Sequence, residues 1–206
     1  IKAVLKETNI SRVRLSSLNI EDINEPLIAL LKEEPRVAKH LHLSLQSGSD
    51  RILQLMRRSY TAKDFLAKVN LIKTELPEIG ITCDLIVGFP GETETDFQQS
   101  MVLLTEIKPL KTHIFKFSAR PGSLAAKMPD KVSPAVKKER LQRAKQHAQY
   151  VAQTAKSQFI GKTLEVLLEK KENGYYTGFS SQYLKVIIPE ANLPLNHLLK
   201  AKAVKL

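Results

Sequence analysis

The sequence predicts an α/β fold in which a partial parallel βα barrel is followed by a small antiparallel β-barrel. Short apolar, β-branched segments alternate with segments whose apolar residues recur every three or four positions. Near residue 160 the spacing of the apolar residues changes to every second position, which is typical of antiparallel strands. We therefore expect a barrel portion over residues 1–132, a connecting helix over 133–160 and a small barrel over 161–206.

The barrel portion should contain four parallel strands, near residues 12–18, 41–47, 81–89 and 112–118. A helical stripe of apolar residues predicts a first helix over 20–32. Thr61 with Asp64, and Thr93 with Asp96, have the spacing of a capping box, so a further helix should begin after each threonine.

The C-terminal part begins with a helix start at Ser133, a capping residue that precedes a proline. The apolar face of this helix continues to Phe159. The dipeptide Asn173-Gly174 is a strong hairpin signal. Antiparallel strands are expected near residues 164–168, 175–179, 184–188 and 199–204.

Composition limits the class of protein. The 206 residues are 43% hydrophobic and 26% charged, and no apolar run approaches the roughly 18 residues that a membrane helix needs. The chain starts at Ile1 without a signal or transit pattern, so we expect it to begin partway through a longer cytoplasmic protein. The single cysteine, Cys83, excludes an internal disulfide and should be a buried, inert thiol.

The net charge of +11 is unevenly distributed. Residues 127–206 hold fifteen Lys or Arg and six acids, whereas residues 1–126 hold seventeen and fifteen. A localised basic field attracts polyanions, with nucleic acid as the first candidate and an anionic membrane surface as the second. A basic surface without a partner is the remaining interpretation.

Polar residues collect where the predicted parallel strands end, which is the edge at which βα folds bind ligands. They are Ser16, Ser17, Gln46, Ser47, Asp84 and Arg120. The glycines of the turn at 88–91 permit a close backbone approach to a ligand. Three histidines, His40, His42 and His113, instead fall at strand beginnings, so we do not expect a metal site there.

Four motifs occur in order along the chain: HLHLSLQSGSD at 40–50, MRRSYT at 56–61, DLIVGFPGET at 84–93 and FSARPGS at 117–123. Together they resemble the second half of a radical SAM methylthiotransferase, and the terminal barrel resembles the TRAM RNA-binding domain that follows it. Ser44 stands where the family usually has proline. Three shorter features are most similar to the branch that methylthiolates N6-threonylcarbamoyladenosine beside the tRNA anticodon: VRLSSL at 13–18, the ending SARPG at 118–122, and GFS at 178–180 with YLKV at 183–186.

The resemblance implies S-adenosylmethionine as cofactor, tRNA as partner, an electron donor, and a 5′-deoxyadenosyl radical that abstracts hydrogen from adenine C2. The implied cofactor-binding residues are Gln46, Ser47, Arg58, Asp84, Gly88 and Gly91. Basic and aromatic residues of the C-terminal part are the candidates for RNA binding. They are Lys137, Lys138, Arg140, Arg143, Lys170, Lys171, Tyr175, Tyr176 and Lys185.

Such enzymes also hold 4Fe–4S clusters, one of them on a C-x3-C-x2-C loop, and Cys83 cannot supply those ligands. This chain alone is therefore expected to be inactive. Three alternatives stay open: a methylthiotransferase acting on a ribosomal protein, a different radical SAM enzyme, and an RNA-binding relic without clusters. The sequence does not predict an oligomeric state.

Overall fold

The computed structural model describes residues 1–189 and 193–205. The N-terminal part contains a parallel sheet of strand order β1-β2-β3, with His40 of β1 opposite Gly80 of β2 and Asp84 of β2 opposite His113 of β3. The predicted parallel α/β architecture is confirmed. The strand bounds are β1 His40–Gln46, β2 Gly80–Val87 and β3 Lys111–Lys116.

Helices cover one face of this sheet. Both predicted capping boxes are present, Thr61 with Asp64 and Thr93 with Asp96. The first predicted helix begins later than expected, because the Asn24 side chain accepts a hydrogen bond from the Leu27 amide and caps it. The bounds are α1 Lys2–Glu7, a 3-10 turn Ile20–Asp22, α2 Glu25–Glu33, α3 Asp50–Leu55, α4 Ala62–Glu75, α5 Glu94–Ile107, α6 Leu124–Lys127 and α7 Pro134–Ser157.

The predicted first strand, residues 12–18, is not a continuous strand, so this expectation was wrong. Among the described residues, the segment forms two isolated parallel bridges, Val13 with Val37 and Leu18 with Leu43. Five residue steps from Val13 to Leu18 face six steps from Val37 to Leu43, so the two chains lose register between the bridges. A parallel ladder needs constant register, and the pairing is interrupted for that reason.

The C-terminal part contains a four-stranded antiparallel sheet of order β6-β5-β4-β7. Asn173 and Gly174 both have positive φ, 50° and 77°, so the predicted hairpin between β4 and β5 is confirmed. The predicted extent of this part, 161–206, includes residues 190–192 and 206, which lie outside the described part of the chain. The bounds are β4 Thr163–Glu172, β5 Tyr175–Ser180, β6 Lys185–Pro189 and β7 Leu198–Lys202.

Helix α7 connects the two sheets. Its 24 residues span about 36 Å at a rise of about 1.5 Å per residue. Ala144 belongs to the hydrophobic core of the parallel sheet, whereas Ala155 packs with Phe159 in the core of the antiparallel sheet. The helix therefore runs along the side of β3 from one end of the parallel sheet to the other.

The antiparallel sheet packs against the N-terminal ends of β1 and β2. The Lys39 amide donates to Ser181 Oγ over 2.9 Å, and the rings of His40 and Tyr183 are 4.8 Å apart. A Cβ on Gly80 would lie 2.0 Å from the Gln182 carbonyl oxygen, so only glycine permits this approach. Within residues 1–189 and 193–205, no helix is both long enough and apolar enough to cross a membrane.

Candidate functional site

The parallel sheet has one apolar face and one polar face. In β1, Leu41, Leu43 and Leu45 are fully buried against the helices, whereas the alternate residues His42 and Ser44 are partly exposed. Successive side chains of a strand point to opposite faces. The polar side chains therefore line the face that the helices leave uncovered, here called the open face.

Asp84 lies on the open face of the central strand, where the sequence predicted a polar residue. His42 Nε2 is 3.0 Å from Asp84 Oδ2, and His42 Nδ1 is 2.7 Å from the Thr82 hydroxyl. A carboxylate only accepts hydrogen bonds, so the His42 Nε2–H donates to Asp84, and Nδ1 forms a second hydrogen bond with the Thr82 hydroxyl. Sequence reasoning placed His42 at a strand beginning and missed this contact, although both residues lie in the alternation that defines the open face.

Gln46 ends β1 with a φ of 65°, which is rare for a residue other than glycine. The Tyr60 hydroxyl shares its one proton between the Ser44 carbonyl at 2.7 Å and the Leu45 carbonyl at 3.1 Å. Burial raises the pKa of Tyr60 to about 12, which keeps the hydroxyl a donor. Tyr60 thus satisfies the backbone where the β1 ladder becomes irregular and holds Gln46 at the strand end.

The turn that follows Gln46 packs against α5. Ser47 is buried and its Oγ accepts from the Ser49 amide at 3.2 Å. A Cβ on Gly48 would lie 2.5 Å from Ser100 Cα, so the turn can approach the helix only with glycine there. Ser47 was predicted to bind the cofactor, but its hydroxyl is used inside this turn.

Asp96 ties the same turn to the start of α5. Ser49 Oγ donates to Asp96 Oδ1 over 2.6 Å, and Arg51 also donates to Asp96. Burial alone would raise the pKa of Asp96, but the hydrogen bonds from Arg51, Ser49 and Thr93 outweigh it and hold this pKa below its ordinary value. The two loops that follow β1 and β2 are therefore fixed to each other.

The turn after β2, residues 88–92, is closed by a buried carboxylate. The Gly88 amide lies 3.0 Å from both carboxylate oxygens of Glu92, and the Gly91 amide donates to the Asp130 carbonyl at 2.9 Å. Gly88 and Gly91 have φ of 73° and 79°, a conformation that glycine adopts without strain.

The first turns of α7 face this turn with three cationic residues. Arg140 is buried and its Nη1 lies 2.7 Å from Glu92 Oε1, and Arg143 Nη2 lies 2.6 Å from Glu94. Both residues were predicted to bind RNA. The Arg140 side chain is instead enclosed in the protein, so it is not available to a phosphate on the surface.

Lys137 is the third member of this row and has a different environment. Its stem passes directly over Gly88, because a Cβ on that glycine would lie 2.4 Å from Lys137 Cγ. Its ammonium lies 5.2 Å from the centre of the Phe117 ring and 3.4 Å from the Phe117 carbonyl oxygen. The charge of Lys137 is therefore held where β2 and β3 end.

The remaining predicted cofactor residue, Arg58, is half-buried. Arg58 Nη1 donates to Asn19 Oδ1 at 3.2 Å, beside the end of the segment that accompanies β1. Gln46, Arg58, Asp84 and Gly88 are thus all associated with strand ends or with the open face. Gly91 instead lies beside Arg51, because a Cβ on Gly91 would be 3.8 Å from Arg51 Nη1.

The predicted RNA-binding residues of the antiparallel sheet divide into two groups. Tyr176 is buried in the core and its hydroxyl accepts from the Leu193 amide at 3.3 Å, so it is unavailable for stacking on a base. The Lys171 ammonium lies 5.3 Å from the centre of the Tyr176 ring. The exposed members are Tyr175, Lys170, Lys171 and Lys185, together with Lys138 on α7.

The only thiol in the sequence, Cys83, lies on the apolar face of β2 and is fully buried. Burial raises its pKa to about 12. Iron–sulfur clusters are held by several thiolates. A single buried thiol therefore does not fit such a cluster.

Comparison with known proteins identifies the family. The family model described as "Radical SAM superfamily" matches residues 2–104. The chain is 41% identical over 186 residues to the threonylcarbamoyladenosine tRNA methylthiotransferase MtaB of Thermotoga maritima, covering 90% of this chain and 43% of the relative. The protein of the same name from Bacillus subtilis is 34% identical over 201 residues, covering 95% and 45%.

A third relative carries a different name. The tRNA-2-methylthio-N(6)-dimethylallyladenosine synthase of Acetivibrio thermocellus is 40% identical over 181 residues, covering 86% of this chain and 38% of the relative. The chain spans about two fifths of the length of these relatives.

Among solved structures, the coproporphyrinogen III oxidase HemN of Escherichia coli, described as a radical SAM enzyme, superposes with a TM-score of 0.57 at 21% identity. The match covers 68% of this chain and 32% of HemN, and it supports the fold alone. The family model, which spans half of the chain, shows that the chain belongs to the radical SAM superfamily.

Proposed function

We propose that this chain forms the C-terminal part of a longer tRNA methylthiotransferase that modifies C2 of N6-threonylcarbamoyladenosine. The observation that carries this proposal is the identity of 41% and 34% to two relatives with that name, over 90% and 95% of this chain. We also keep the division at residues 132 and 160 into barrel portion, connecting helix and RNA-binding part as a proposal.

Dimethylallyladenosine is the second candidate substrate. The Acetivibrio thermocellus relative is named for that nucleoside and is 40% identical, which is as similar as the first relative. Overall identity therefore does not separate the two nucleosides. The two candidates differ in charge, since the threonyl group carries a carboxylate and the dimethylallyl group is apolar.

Membership of the superfamily implies S-adenosylmethionine and a 4Fe–4S cluster, which together supply radical chemistry when bound. The cluster belongs outside this chain, because Cys83 is buried and alone. The open face does fit the cofactor. The Asp84 carboxylate and the Gln46 amide offer acceptors and donors for its ribose hydroxyls or ammonium group, with Arg58 at the rim.

The proposed RNA-binding sheet and the proposed cofactor site lie at opposite ends of the molecule. The antiparallel sheet packs at the N-terminal end of β2, whereas the open face ends at its C-terminal end, eight residues or about 26 Å away. A ligand that contacts both must span at least that length. A folded RNA hairpin does so, and its adenosine can be flipped out toward the cofactor.

Nucleoside mass spectrometry of tRNA from a strain lacking the gene tests the proposal. We expect the 2-methylthio derivative of N6-threonylcarbamoyladenosine to disappear and the derivative of dimethylallyladenosine to remain. The reverse pattern would assign the second substrate. An unchanged nucleoside pool would exclude tRNA as the substrate. Complementation with the wild-type gene controls for effects of the deletion on neighbouring genes, and complementation with an Asp84→Asn variant tests whether restoring the modification needs Asp84.

A further inference from the structure

Three cations of α7, Lys137, Arg140 and Arg143, face the turn after β2. Among the described residues, Lys137 is the member of this row that no carboxylate neutralises. Arg140 and Arg143 are paired with Glu92 and Glu94, so their charges are neutralised within the protein. Lys137, one turn earlier, faces Gly88 instead of an acid. Within the part of the chain that the structure describes, no carboxylate forms an ion pair with Lys137.

The position of the Lys137 charge is fixed by packing. The stem of Lys137 lies against Gly88, where even a methyl group would approach Lys137 Cγ to 2.4 Å, and the ammonium lies over the ring of Phe117. Both contacts belong to the ends of β2 and β3, the edge at which the family fold presents its ligands. A fixed lysine loses less conformational entropy on binding an anion than a mobile one does.

The surrounding charge indicates which anion. Residues 116–138 contain six Lys or Arg and one acid, Asp130. The five basic residues of this segment other than Lys137 are exposed: Lys116, Arg120, Lys127, Lys131 and Lys138. The backbone of Asp130 accepts from the Gly91 amide, so the segment passes beside the turn after β2. A rim of several cations matches a chain of phosphates better than a single carboxylate.

We propose that Lys137 binds a backbone phosphate of the RNA at the C-terminal edge of the parallel sheet, next to the nucleotide that enters the site. This inference rests on the proposed action on tRNA. It adds an RNA contact at the reacting end of the molecule, about 26 Å of strand away from the antiparallel sheet. Such a contact positions the RNA without reading its sequence.

The test uses Lys137→Met in the full-length protein, because methionine keeps an unbranched stem over Gly88 and Phe117 and removes the ammonium group. The matched control is Lys145→Met, which removes one exposed charge from the same helix eight residues later. Affinity for tRNA purified from the deletion strain is measured across one decade of salt. S-adenosylmethionine affinity and the thermal unfolding midpoint are measured for the same proteins.

For Lys137→Met we expect the slope of log K against log salt to decrease in magnitude by roughly 0.7–0.9, with affinity about five- to eightfold weaker near 0.1 M salt. S-adenosylmethionine affinity and the unfolding midpoint should not change, and Lys145→Met should keep the wild-type slope. Lys137→Arg, which retains the charge, should also keep that slope. These results together would support the phosphate contact.

Three results would overturn the inference. An unchanged salt slope in Lys137→Met would exclude a phosphate contact. A loss of S-adenosylmethionine affinity with intact tRNA binding would assign Lys137 to the cofactor carboxylate. A loss of tRNA affinity in Lys137→Arg equal to that in Lys137→Met would assign it to packing. If the wild-type protein modifies tRNA and only the Lys137 result fails, the proposed function stands. If the wild-type protein does not bind tRNA, both fail.

Discussion

Arg140 Nη1 donates to Glu92 Oε1 over 2.7 Å, and both side chains are buried between α7 and the turn after β2. The same Arg140 nitrogen donates to the Glu92 carbonyl at 3.0 Å, and Glu92 in turn accepts from the Gly88 amide. This pair therefore fixes both the turn and the helix whose first residues reach the end of the parallel sheet.

Removing one partner should destabilise the protein strongly. Arg140→Met leaves the Glu92 carboxylate buried without its counter-charge, and burial already raises the pKa of this group. We expect a loss of roughly 3–5 kcal/mol in the free energy of unfolding, measured by urea denaturation. Arg143→Met is the matched control, because Arg143 pairs with the more exposed Glu94 and should cost about 0–1 kcal/mol. Equal losses in the two variants would contradict a special role for the buried pair.

Gly88 should tolerate a side chain less well than Gly122. Both have positive φ, 73° and 80°, so alanine is strained at either position by roughly 1–2 kcal/mol. An added Cβ meets nothing within 4 Å at Gly122 but lies 2.4 Å from Lys137 Cγ at Gly88. Gly88→Ala should therefore destabilise the protein more than Gly122→Ala in thermal denaturation.

A double variant isolates the steric part of this effect. Lys137→Ala removes the Cγ that the new methyl group would meet, so it should recover most of the difference between Gly88→Ala and Gly122→Ala. Couplings between contacting residues are typically about 0.5–3 kcal/mol. Additive effects of Gly88→Ala and Lys137→Ala would mean that the stem does not constrain this glycine.

The contact between the two sheets should weaken in mild acid. Burial, with the nearby Arg14 and His42, lowers the pKa of His40 to about 3. Above about pH 6.5 the imidazole is neutral in both states. As the pH falls further, the unfolded chain takes up a proton that the folded chain excludes, so stability declines between about pH 6.5 and 3. Urea denaturation should show a loss of up to about 1.4 kcal/mol per pH unit from this group.

His40→Gln should remove that part of the pH dependence, whereas His197→Gln, an exposed histidine outside the contact, should leave it. Asp84, Lys111 and Arg14 also face the histidines on this side of the sheet. A pH profile that is the same in wild type and His40→Gln would show that the decline arises from those other groups.

The sequence predicts well what local signals determine. Each capping box, at Thr61 and at Thr93, is formed by residues within four positions, and the turn at Asn173 depends on two residues. All three predictions are confirmed. The prediction of a strand at residues 12–18 was wrong, because the pairing of this segment depends on its register with residues 37–43. No local sequence pattern encodes that register.

Site residues divide in the same way. Alternation in β1 and β2 is enough to place Asp84 and Gln46 at the open face. The sequence predicts RNA binding for Arg140 from its charge and for Tyr176 from its aromatic ring. What buries these side chains cannot be predicted from a local pattern, because the partners are distant in the chain. Arg140 pairs with Glu92, and Tyr176 packs in the core of the antiparallel sheet. Lys137 could not be separated from Arg140 without the contact to Gly88.

Asp84 should contribute to cofactor binding. Asp84→Asn keeps an oxygen that accepts from His42 but removes the charge that would meet the cofactor. In the reconstituted full-length protein we expect S-adenosylmethionine affinity to fall roughly 10- to 150-fold, corresponding to about 1.5–3 kcal/mol. Arg58→Met should act in the same direction, and tRNA affinity should be unchanged. Glu106→Gln, an exposed acid on α5, serves as the control. Wild-type cofactor affinity in both Asp84→Asn and Arg58→Met would make these residues structural.

Reversing two charges on the antiparallel sheet should weaken tRNA binding without changing which RNA is preferred. Lys170 and Lys171 are exposed on β4 next to the hairpin, and Tyr175 on the other side of the turn is half exposed. The variant Lys170→Glu with Lys171→Glu should reduce the magnitude of the salt slope by about 0.7–0.9 for each phosphate that a lysine no longer neutralises.

Because binding to phosphates carries no sequence information, this double variant should weaken the affinity for any tRNA by a similar factor. The control replaces two exposed lysines of the helical layer, Lys2 and Lys63, with glutamate, which changes the net charge by the same amount. An equal decrease of affinity in the control would mean that only overall charge matters. A decrease confined to tRNAs that carry the modified adenosine would instead place Lys170 and Lys171 at the point of substrate selection, which we expect at the opposite end of β2.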